Sequence, residues 1–194
     1  MSFLLGIWNA ILRTWINIGV RIFPPVIHPM LVHFPIALLY GSLFTSLLGF
    51  FWRTPDRFFD RSSFWLLVLG LIAGIVTSAM GVISEQFVKW TPTTSALLST
   101  HQAYAVLTGL FTMLAIAARL IARYPRSRQG ERAWSLNGSG RGRQSVLSFI
   151  FLVAAVVMIT MTASVGGTMV YQYGVGIHGV SFRIPPELQS HHAS

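Results

Sequence analysis

Six histidines, at positions 28, 33, 101, 178, 191 and 192, are the residues of this chain best equipped for chemistry. A neutral imidazole ligates a transition metal through one ring nitrogen while the other is held by a hydrogen bond. His191 and His192 sit in a polar tail and carry no argument. His28, His33, His101 and His178 each flank or open an apolar stretch, and they form the candidate set. Nothing else competes with them. The chain has no cysteine, which excludes disulfides, thiolate zinc, cysteine-ligated iron–sulfur clusters and covalently attached c-type haem. With only five acidic residues, it shows no carboxylate pair, phosphate loop or Ser-His-Asp arrangement, so little supports an enzyme acting alone.

The elements that must position these histidines are membrane spans. Of 194 residues, 53% are hydrophobic and 10% charged, too few polar side chains to cover a water-facing surface. A spanning helix needs about 20 apolar residues. Four stretches qualify: 29–52, 64–84, 101–122 and 146–171. The charged segment 53–61, the Pro- and Thr/Ser-containing segment 85–100 and the Arg- and Gly-rich segment 123–143 separate them. No internal repeat is evident beyond two hydrophobic hairpins. The expected fold is all-α, an integral membrane four-helix bundle over 26–180. It is preceded by an amphipathic interfacial helix over 1–25 and followed by a tail, 181–194. Asn9, Arg13, Asn17 and Arg21 recur every fourth residue and make one polar stripe on the leading helix. A fifth span is its rival reading, one that would put Arg13 at mid-membrane.

The net charge of +9 reads as a topology signal rather than as nucleic-acid binding. Arg53, Arg57 and Arg61 lie in one inter-span loop. Arg119, Arg123, Arg126, Arg128, Arg132, Arg141 and Arg143 lie in or beside the other. Both loops fall on one side, taken as the cytoplasmic side of a bacterial inner membrane. The four histidines then gather at the outer face. Counted back from Arg53, and from Arg119 and Arg123, His33 and His101 lie at closely similar heights, roughly 30 Å from the inner side. Two imidazoles at one level on two helices suit the axial ligands of haem b. His28 lies about 140° around the helix from His33, so the two cannot share a ligand face. His33, the deeper, is the expected partner of His101. His28 and His178 remain further cofactor-binding candidates, and Gly174 and Gly176 would let His178 turn back over the bundle.

Other chemistries fit the same residues. Three histidines with Glu85 could hold zinc. One histidine could ligate a chlorophyll-type pigment. Arg21, Lys89 or Arg183 could meet haem propionates. The small residues Gly70, Gly74, Ser78 and Gly81, with Ala163, Gly166 and Gly167, allow either close helix packing or room for a flat macrocycle.

The segment His28-Pro-Met-Leu-Val-His-Phe-Pro-Ile-Ala-Leu38 resembles the opening signature of a bacterial membrane-protein family catalogued as domain of unknown function 2231. The glycine-spaced second span, His101 and Gly167-Thr-Met-Val-Tyr-Gln-Tyr-Gly-Val-Gly-Ile177 are similar to it too, over roughly 26–180. The resemblance implies four spans and a redox setting, because some members are fused to Rieske or cytochrome c domains. Two functions are expected from the whole. One is a haem b-binding, cytochrome-like electron-transfer subunit meeting a quinone or an outer-face redox protein. The other is a cofactor-free or pigment-binding accessory subunit of a larger respiratory or photosynthetic complex. A transporter is disfavoured because no charge sits mid-membrane in three of the four spans.

Overall fold

The computed structural model describes residues 2–52, 57–123 and 146–176, and every regular element among them is helical. Helix α1 runs over Ser2–Ile22, α2 over Ile27–Leu31, α3 over His33–Phe51, α4 over Phe58–Ser84, α5 over Pro92–Arg123 and α6 over Val146–Tyr171. A 3-10 turn, Glu85–Phe87, extends α4. Four of these units are long and apolar enough to cross a bilayer: 27–51, 58–87, 92–122 and 146–171. Phe34, Phe44, Ile72, Ile75, Val106 and Ile121 are all more than half exposed, an outer surface made for lipid rather than water.

Two spans begin earlier than their hydropathy suggests. Helix α5 starts at Pro92, not near His101, because the polar run before it is a cap. The Thr94 amide donates to Thr91 Oγ1 at 3.2 Å, and the Thr91 amide donates to Thr94 Oγ1 at 2.9 Å. Pro92 takes the first helical position, where its missing N–H is not needed. His101 is therefore about 13 Å into its helix rather than at its mouth. Helix α4 likewise starts at Phe58, just after Arg57 in the left-handed region (φ 52°).

The bundle is two hairpins. Helix α3 packs along α4, and α5 along α6; between hairpins, α3 meets α6 and α4 meets α5. The core is Leu39, Leu67, Ala115, Leu152, Val156 and Ile159, with Ile36, Leu43, Ile116 and Phe151 against it. The hairpins repeat one another, a relation that sequence comparison does not reveal. Buried Pro35, Leu39, Ser42 and Ser46 correspond to buried Thr108, Thr112, Ala115 and Arg119, each 73 positions on. Ser63, Leu67 and Gly70 correspond to Ser148, Leu152 and Ala155, each 85 positions on and all buried. The inward register is duplicated; residue types are kept at Ser63 and Ser148 and at Leu67 and Leu152, and have diverged between α3 and α5.

Among the described residues, helix α1 packs chiefly against the end of α4. Trp15 Nε1 donates to the Ala79 carbonyl at 3.2 Å, and a methyl group at Gly19 would overlap Ile83. Leu4, Leu5, Ile7, Trp8 and Ile11 are exposed on one side, and Asn9, Arg13, Asn17 and Arg21 are exposed in the expected stripe. Helix α1 is not among the four spans.

Candidate functional site

At one end of the bundle two imidazoles face each other across the hairpins. They belong to His28 on α2 and His101 on α5, with ring centroids 6.2 Å apart and planes inclined by 78°. Each ring is fixed within its own hairpin. His28 Nδ1 lies 2.9 Å from the Thr77 carbonyl on α4. His101 Nδ1 lies 2.9 Å from the Thr162 carbonyl on α6. A carbonyl only accepts, so both Nδ1 atoms are protonated donors, and the lone pair of each neutral ring sits on Nε2.

One helical turn beyond each carbonyl stands a glycine. A Cβ on Gly81 would come within 3.1 Å of His28 Nδ1, and one on Gly166 within 3.3 Å of His101 Cε1. These glycines make room for the imidazoles. The site obeys the same duplication as the core: His28, Thr77 and Gly81 in one hairpin match His101, Thr162 and Gly166 in the other, again 73 and 85 positions apart. The rest of the small-residue row does not line this site. Gly70 packs on Leu39, Gly74 and Gly167 have nothing within 4 Å of a Cβ, and Ser78 and Ala163 are exposed.

The spacing has chemical meaning. A metal–imidazole bond is about 2.0 Å, and the ring adds about 1.1 Å from nitrogen to centroid, so two trans imidazoles on one ion stand about 6 Å apart between centroids. The 6.2 Å between the two centroids is compatible with that value.

The sequence-derived pairing of His33 with His101 is replaced by His28 with His101. His33 opens α3 and is exposed. Arg119, one of the arginines from which depth was counted, is buried inside the bundle, 2% exposed. His28 and His33 stand on separate helices, α2 and α3, and only His28 lies against the His101 ring while His33 is exposed. His178 and Arg183 lie outside the described residues. Glu85 accepts from Gln102 Nε2 at 2.9 Å, and among the described residues no group of three or more His, Asp or Glu gathers as a metal site. A cleft of about 210 Å³ opens one turn beyond the imidazoles, lined by Pro25, Pro29, Ser84, Phe87, Val170 and Val175. That volume is below the range of about 300–1,000 Å³ usual for ligand pockets. The α6 terminus forms its wall through Gly174 (φ 64°), whose amide donates to the Val170 carbonyl while Val175 N donates to the Met169 carbonyl.

The opposite end holds a buried polar knot that sequence reasoning missed. Arg119 Nη2 donates to Ser46 Oγ and Ser63 Oγ, each at 2.9 Å, and Nε donates to Ser148 Oγ at 3.1 Å. Ser63 Oγ donates to the Ser42 carbonyl at 2.9 Å, and Ser148 Oγ donates to the Ala115 carbonyl at 2.7 Å. The available signal was one arginine inside an apolar span together with a serine near the arginine-rich end of each of the other three.

The family model described as "Predicted membrane protein (DUF2231)" matches residues 24–179, and the chain belongs to that family. No curated protein and no solved structure matches it.

Proposed function

We propose that this DUF2231 membrane protein is a one-electron carrier that holds haem b between His28 and His101. The observation that carries the reading is the imidazole pair itself, two rings each held through Nδ1 by a backbone carbonyl and 6.2 Å apart between centroids, which would hold the haem iron. Haem b, when bound, supplies a reversible ferric/ferrous couple. The chain's own groups do the rest. The Thr77 and Thr162 carbonyls accept from the Nδ1 atoms, which fixes the tautomer and raises ligand basicity. Each histidine comes from a different hairpin, so one ligand joins the two halves. Arginine counting puts the Arg119 end in the cytoplasm and the histidine pair toward the outer face of a bacterial inner membrane. Helix α1 then lies in the outer interface with its arginine stripe toward headgroups. Arg21 and Lys89 belong to segments at the histidine end and are available to propionates. An outer-face redox protein or a quinone would be the partner. A pigment whose magnesium takes one axial ligand would leave the second imidazole without a role, so the paired geometry favours haem.

Oxidised and reduced absorption spectra of the protein purified from membranes test this. The expected result is a Soret band with sharpened visible bands on reduction. The steep angle between the rings should give the ferric form a highly anisotropic low-spin electron paramagnetic resonance signal. A colourless protein, even when expressed with added haem precursor, overturns the proposal and leaves the accessory-subunit reading.

Gly81→Val supplies an independent check. Its side chain would push His28 off the Thr77 carbonyl, and loss of such an orienting contact costs about 10–100-fold in metal affinity. Haem content should fall accordingly. Gly74→Val, on the same helix with nothing within 4 Å, should retain it.

A further inference from the structure

We infer that the chain holds a single cofactor between its two hairpins and exchanges electrons with both donor and acceptor at the histidine end alone. This rests on the haem reading. It comes from the duplicated register, which makes the two ends of the bundle comparable layer by layer. At one end the matched positions are His28 and His101, with Nε2 atoms free to bind.

At the other end the matched positions are Ser46 and Arg119, and Ser63 and Ser148. There the guanidinium already fills the space between hairpins, bonded to hydroxyls from α3, α4 and α6. Among the described residues that layer offers no histidine, and the guanidinium stands where a second macrocycle would have to lie. Between the layers, Leu39, Leu67, Thr112, Ala115 and Leu152 are at most 1% exposed and pack the interior shut. From Ser63 to Gly81 is eighteen residues of helix, about 27 Å. No group among these core side chains can take up an electron on the way. One electron therefore enters from a reduced carrier, which is oxidised by one. It leaves to an oxidised carrier, which is reduced by one. Both one-electron carriers dock at the same face, and no net charge crosses the bilayer.

The test uses the whole haem-loaded protein in sealed vesicles with ferricyanide trapped inside and dithionite added outside. The expected result is one haem per chain. Rapid reduction should be confined to molecules whose histidine end faces out, with the trapped ferricyanide left oxidised. Consumption of the trapped ferricyanide beyond protein-free vesicles, or two haems per chain, overturns the inference while leaving haem binding intact. Absence of a Soret band in the starting protein is a different result: it removes the haem reading and this inference with it.

Discussion

Replacing His28 with alanine is expected to abolish the Soret absorption of the purified protein, whereas His33→Ala leaves it at wild-type intensity. The two residues sit five apart in one short motif, and a sequence argument based on depth prefers His33. The difference is angular. His28 points between the hairpins, 6.2 Å from the His101 ring and bonded to the Thr77 carbonyl. His33 is exposed on the outer surface of α3. On the proposed reading, removing His28 would take away a bond to the metal itself, so the loss should exceed the roughly 10–100-fold that follows loss of an orienting partner. His101→Ala should match His28→Ala, because the duplicated site gives both rings the same role. Retained folding is checked by helical circular dichroism and gel filtration, since neither imidazole lies in the apolar core. An unchanged spectrum in His28→Ala, or a lost one in His33→Ala, would return the ligand role to the deeper histidine.

The four spans were legible because their composition leaves little choice: apolar stretches near bilayer length have few other folds. The polar stripe of α1 was legible for the same kind of reason, as Asn9, Arg13, Asn17 and Arg21 obey the helix period. Span starts were less so. Thr91 and Thr94 lower local hydropathy and look like a loop, yet their hydroxyls cap α5, and capping is a matter of hydrogen-bond geometry that hydropathy does not measure. That error moved His101 to the mouth of its helix. Arg119 caused the second error, because an arginine near a span end is ordinarily an interfacial charge. Only the convergence of Ser46, Ser63 and Ser148 from three other helices makes it an interior residue. The internal duplication was hidden for a third reason. Helix packing fixes which positions face inward but tolerates many residue types there, so Leu39 and Thr112, or Ser46 and Arg119, can hold equivalent places. The repeat lives mostly in burial, with identity kept only at scattered positions such as His28 and His101, Thr77 and Thr162, and Gly81 and Gly166.

The largest stability effect is expected at the knot. Arg119→Ala should lower stability by about 3–5 kcal/mol, the size expected when a large side chain is lost from a packed interior together with several hydrogen bonds to a charged group. For a domain of this size that is a fall of about 10 °C in the thermal midpoint in detergent. The loss comes from an unfilled space and from hydroxyl oxygens without their donor, in a bundle where apolar association contributes little. The hydroxyl protons are not stranded, because Ser63 and Ser148 keep the Ser42 and Ala115 carbonyls as acceptors. Ser46→Ala, by contrast, removes one of several acceptors from the guanidinium and should cost only about 1–2 kcal/mol. Arg119→Lys should fall between the two: an ammonium keeps the charge but cannot reach Ser148 through one nitrogen and Ser46 and Ser63 through another, as the planar fork does. Thermal unfolding followed by circular dichroism ranks the three. If Arg119→Ala proved no worse than Ser46→Ala, the guanidinium would be a passive filler, and the hairpins would be held together by their apolar contacts alone. The histidine end offers an internal control, because these substitutions lie about 27 Å from it. At temperatures where the variants remain folded, their Soret bands should keep the wild-type position.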